Sequence, residues 1–87
     1  MPEEFPKIQK GQVTLSRANV DTGIILDELN NYALSPSQKV YTVFGNESDA
    51  LNAARLLVEA NPHIECYIHQ ASKKLLYFLD SKGMKHF

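Results

Sequence analysis

The chain has a single cysteine, Cys66, and no tryptophan. One thiol excludes an internal disulfide framework and a CxxC metal knuckle. A secreted domain of this size usually needs such staples, so a reduced, cytoplasmic setting is expected. Long apolar runs are missing too: nothing approaches the ~18 residues of a membrane span. The opening MPEEFPKIQK is acidic and proline-broken, without a signal-peptide core. Charge of one sign is also lacking, with nine basic and ten acidic side chains. A protein held to nucleic acid mainly through phosphates would show a basic excess.

What remains is 87 residues, 44% apolar and 22% charged, the composition of one small globular domain. A chain this short buries only a little over ~60% of its unfolded surface, so its core is thin.

Residues 1–10 read as a loose lead-in, with 1–9 and 81–87 expected as flexible ends. QVTLS (12–16) alternates Val13 and Leu15, as a short strand does. Over 21–33, Asp21 or Thr22 can cap a helix, and Ile25, Leu26, Leu29, Tyr32 and Ala33 share an arc of a helical wheel. Gly23 weakens that helix, and Ile24-Ile25-Leu26 also suits a strand; helix is the expectation. KVYTVFG (39–45) is β-branched and aromatic and stops at glycine, a strand pattern. A second helix runs from an Asn46 cap, with Glu47 and Asp49 in its first turn, to Asn61-Pro62. Residues 63–70 and 74–79 are strands close enough to form an antiparallel hairpin.

The order β-α-β-α-β-β predicts an α+β two-layer sandwich within the broad α/β class. Its four-stranded mixed sheet carries both helices on one face and ends in the β-hairpin. Architecture does not fix function.

HIECYIHQ (63–70) gathers two histidines, a glutamate, a tyrosine and the cysteine. Alternation places His63, Glu65, Tyr67 and His69 on one face and Ile64, Cys66 and Ile68 on the other. His63 and His69 lie ~20 Å apart and cannot share a metal ion. His63 and Glu65 stand about 7 Å apart, but a zinc site needs one or two further ligands, and His86 is the only other histidine. Cys66 points away from both histidines, which separates nucleophile from base. FGNES lacks phosphate-loop spacing. Asp27 and Glu28 diverge by about 100° on a helix. No catalytic, metal or cofactor site is assigned.

KLLYFL (74–79) is apolar on both faces, so a sheet with helices on one side would leave an apolar open face. Tyr67 lies there, with Tyr41 and Val43 or with Val40, Thr42 and Phe44. A two- or four-residue hairpin loop adds Leu76 and Phe78; a three-residue loop adds Leu75, Tyr77 and Leu79 instead. The candidate surface is therefore Tyr41, Tyr67, Leu76, Phe78, His63, Glu65 and His69, or alternatively Leu75, Tyr77 and Leu79. Phe5 and Ile8, or Met84 and Phe87, are placed to cover it if a terminus folds across.

The function expected is a non-catalytic interaction or regulatory module (inhibitor, immunity-type or subunit), binding a protein partner or forming a homodimer through this face. The alternative is single-stranded nucleic acid stacked on Tyr41, Tyr67 or Tyr77, with Lys73, Lys74, His63 and His69 near phosphates and Lys82 and Lys85 adding charge in the tail. A small enzyme or metal protein built on His63 and Glu65 is the third reading. No membrane is implied.

Overall fold

A computed structural model of the chain describes residues 3–87. It is an α+β fold. Its elements are β1 (Val13–Asn19), β2 (Ile25–Leu26), β3 (Thr42–Phe44), α1 (Glu47–Ala60), β4 (Ile64–Gln70), β5 (Leu75–Asp80) and β6 (Gly83–His86). The six strands form one sheet, and each pairing between them is antiparallel. Among the described residues no helix is long and apolar enough to cross a membrane.

Strand β1 organises the sheet. Along one edge it pairs with β4 from Val13↔Gln70 to Asn19↔Ile64. Its other edge is shared end to end by β3, opposite Val13–Leu15, and β2, opposite Arg17 and Ala18. Because β3 and β4 both run against β1, they are parallel to each other, and α1 is the crossover between them. β5 and β6 extend the sheet beyond β4.

The expected second helix is correct: Asn46 Oδ1 accepts the Asp49 N–H at 2.8 Å, and Asn61 closes the far end through Leu57. Ala50, Ala54 and Val58 press on Leu15, Ile64, Cys66, Ile68 and Leu79 to form the core. Small alanines let the helix approach the sheet closely enough to exclude water from these side chains.

The helix expected over 21–33 is replaced by a β-hairpin and a long loop. Asn19 Oδ1 accepts the N–H groups of Asp21 and Thr22, and Gly23, at φ 71°, returns its N–H to the Asn19 carbonyl. This turn chemistry sends Ile25 and Leu26 back along β1. Asp27 then binds the Leu29 and Asn31 N–H groups through Oδ1 and Gln38 Nε2 through Oδ2. Short Asn and Asp side chains compete with helical backbone bonding, and here they win. Among the described residues the sheet accordingly has six strands rather than four, is antiparallel rather than mixed, and carries one helix rather than two. The C-terminal residues differ from expectation as well: Ser81-Lys82 make a two-residue turn, and Gly83 opens β6 instead of ending the structure.

Candidate interaction surface

Register assigns the faces. Val13, Leu15 and Arg17 on β1, with Ile68 and Cys66 opposite, look toward α1. Thr14, Ser16 and Ala18 look away, opposite His69, Tyr67 and Glu65. The alternation expected for HIECYIHQ is realised: Ile64, Cys66 and Ile68 are buried in the helix-side core, while Tyr67 and His69 lie on the other face.

KLLYFL is two-faced for a reason that alternation alone does not contain. A bulge interrupts the β4–β5 ladder, so that Ile68 pairs with Tyr77 but His69 pairs with Leu75. Leu76 is the extra residue, and both Leu76 and Tyr77 join the helix-side core with Leu79. The helix-free face keeps Leu75 and Phe78. Neither expected set is therefore assembled intact. Leu76 leaves the first, Tyr77 and Leu79 leave the second, and Phe78 and Leu75 from different sets share a face with Tyr67. The Tyr67 and Phe78 rings lie 5.3 Å apart at their centroids, both half-buried.

The N-terminal segment covers one end of this face. Glu3 Oε1 accepts the N–H groups of Val40 and Tyr41 at 3.1 Å each. Phe5 packs edge-on against Tyr41 and His69, with centroids 5.3 and 6.1 Å away. Thr14, directly opposite His69, is fully buried. Within the described residues Thr14 Oγ1 and His69 Nδ1 are buried without hydrogen-bond partners. Burial holds His69 below the ordinary imidazole range. Burial, reinforced by Glu3, raises Tyr41, and burial reinforced by Glu65 raises Tyr67.

The remaining candidates disperse. His63 Nδ1 meets Asp21 Oδ2 at 3.0 Å, across the surface from β2's hairpin, rather than joining Glu65 in a site. Tyr77 stacks on His86 at 4.3 Å and directs its hydroxyl to Glu47 at 3.4 Å. Cys66 is buried against the Ala54 carbonyl, and burial pushes its thiol up to about 11. Asp27 is held below the usual carboxylate range, chiefly by the Gln38 amide and then by the Asn31 N–H. Glu28 Oε2 accepts a hydrogen bond from the Thr42 hydroxyl.

Sequence reasoning did not single out Arg17, which is 4% exposed. Its guanidinium spans the gap between β2 and β3, donating to the Asp27 carbonyl and to Thr42 Oγ1. The sole signal was a charge inside an otherwise apolar, alternating strand. The outer edge of β6 was likewise missed. Asp80/Gly83, Phe78/Lys85 and Leu76/Phe87 are its hydrogen-bonded pairs with β5. Met84 and His86 therefore turn their N–H and C=O groups outward, where no described strand lies. A cleft of about 490 Å³ opens between this hairpin and α1, walled by Arg55, Val58, Pro62, Leu79, Lys82 and Met84.

The fold defines the class, a small α+β domain with an antiparallel sheet and a single crossover helix. No family model, curated protein or solved structure matches the chain.

Proposed function

We propose that the chain is a non-catalytic module that binds a protein partner through the helix-free face of its sheet. The observation that carries this reading is the row of Leu75, Tyr67 and Phe78, left half-exposed on that face while the N-terminal segment covers its His69 end. Clustered aromatic and aliphatic side chains in partial exposure are the usual anchors of protein interfaces. Tyr67 and Phe78 form a non-hydrogen-bonded cross-strand pair, which brings their rings into contact and stiffens them before any partner arrives.

The test is selection from a random peptide library on the immobilised chain, with amide chemical-shift mapping of the winners on the wild type. Enrichment, with shifts centred on Tyr67 and Phe78, supports the reading. A Tyr67→Ala/Phe78→Ala variant that keeps its far-UV spectrum then loses the selected peptides. Absence of enrichment, together with a strictly monomeric mass by light scattering, removes it. A dimer whose interface shifts fall on this face replaces the foreign partner with a second copy.

A further inference from the structure

Every residue of β6 is exposed, and its outer side is a sheet edge. Edges of this kind are templates for another extended segment. Its outward backbone groups belong to Met84 and His86, spaced as one strand repeat. The side chains of Met84 and His86 share the face of Leu79 and Tyr77, beside the cleft, whereas Lys85 shares the opposite face with Phe78.

Charge chooses the occupant. SKGMKHF (81–87) contains Lys82, Lys85 and His86 and no acidic side chain. Neither lysine is in an ion pair among the described residues. The nearest acid in sequence, Asp80, turns its carboxylate onto the Lys82 N–H, and Glu59 stands across the cleft beside Arg55. Self-pairing meets an obstacle. The antiparallel register that uses both outward positions sets the two Lys85 side chains directly against each other, an unfavourable like-charge pair. A foreign strand with acids at alternate positions meets none.

From these features we infer that β6 receives an extended acidic peptide segment, which adds to the sheet as a seventh strand. This edge is distinct from the Tyr67–Phe78 row of the helix-free face, and the inference adds a second, backbone-mediated contact to the partner-binding reading above. Acidic side chains lie on the Lys85 face, and the alternating apolar ones lie over the cleft walled by Val58, Leu79 and Met84. The main-chain bonds at Met84 and His86 supply the register.

The probe is the acetylated, amidated heptapeptide Glu-Val-Glu-Val-Glu-Val-Glu, titrated into the ¹⁵N-labelled 87-residue chain at low salt. Amide shifts and slowed exchange at Met84 and His86 are expected. The heptapeptide with lysine in place of glutamate binds about tenfold more weakly, the sum of a few exposed charge pairs. N-methylation of the valine amides abolishes binding, since it removes strand donors while keeping the charge. Lys85→Glu, exposed and expected to fold, reverses the charge preference. Equal binding of the N-methylated peptide, shifts elsewhere, self-association through β6, or no binding at low salt overturns the inference. If library-selected peptides still map to Tyr67 and Phe78, only the strand-addition inference falls. If they fail as well, the partner-binding reading falls with it.

Discussion

Cys66 lies opposite Arg17 on one side and Leu79 on the other, with the Ala54 carbonyl 3.9 Å from its sulfur. No water reaches it. Burial disfavours the thiolate and outweighs the nearby guanidinium, lifting the thiol from 9.0 to about 11. The native state thus keeps its proton where the unfolded chain has lost it, so stability falls as pH rises from 9 toward 11. Cys66 contributes about 1 kcal/mol of this loss between roughly pH 9 and 10, and Tyr41, Tyr67 and Tyr77, whose phenols burial also raises, add to the slope toward pH 10. Urea midpoints at the two ends of that window measure it, and Cys66→Ala should flatten the slope whatever its own cost. An equal slope in both proteins contradicts the assignment. Alternation alone identified Cys66 as a core residue, because strand parity is a local property. Arg17 obeys the same parity, but its partners, Asp27 just after β2 and Thr42 in β3, lie 10 and 25 residues away, and no local pattern connects them.

At the scale of elements, α1 and the 21–33 region make an instructive pair. Both offered a capping side chain followed by apolar residues at helical spacing. In α1, Asn46 caps a run without internal glycine, and its alanines and leucines are strong helix formers. Asn46→Ala removes the bond to the Asp49 N–H and should cost about 1 kcal/mol, read as a lower urea midpoint with unchanged m-value; Asn46→Ser should recover most of it. In 21–33 the apparent cap, Asp21, is a turn residue, and Gly23 takes a left-handed conformation that a helix excludes. Two cross-strand positions on β1 and the Asp27 network then hold the segment more firmly than a weak, glycine-interrupted helix could be held. The β4–β5 bulge belongs to this scale as well. The turn Gln70–Lys74 closes with Lys73 at φ 71°, and the register shift after Ile68 turns Leu76 inward. Loop length decides which side chains accompany Tyr67 only along an unbroken ladder, but a bulge changes parity mid-strand, and no counting rule anticipates it.

Across the whole molecule, the question is what closes the side of the sheet that α1 does not cover. The N-terminal segment supplies part of the answer. Glu3 anchors it to Val40 and Tyr41, and Phe5 packs on Tyr41 and on His69, which lies opposite the buried Thr14. His69 faces Thr14 across the strands and Tyr41 through Phe5, and burial alone accounts for its lowered affinity for protons. The unfolded chain therefore takes up a proton near pH 6.5 that the native chain refuses, and acidification through that range costs stability. Phe5→Ala should hydrate the imidazole, move its titration back up toward the ordinary value and reduce that acid-side loss. An imidazole NMR titration follows the first effect and urea midpoints at pH near 7 and near 5.5 the second. A titration unmoved by Phe5→Ala would show that the segment does not govern access to His69.

By itself the sequence determined the local periodicities: the capped helix from Asn46 to Asn61, the strands of the central hairpin, the inward Cys66 and the outward Tyr67. Each depends on side-chain spacing and on chemistry within a few residues, which chain connectivity alone dictates. Only the tertiary structure decided that β1 would accept strands on both edges, that Arg17 would bridge β2 and β3, that Leu76 would turn inward and that Phe5 would cover His69. Those outcomes join groups far apart in the chain, and their free energies exist only once the sheet has brought the partners together.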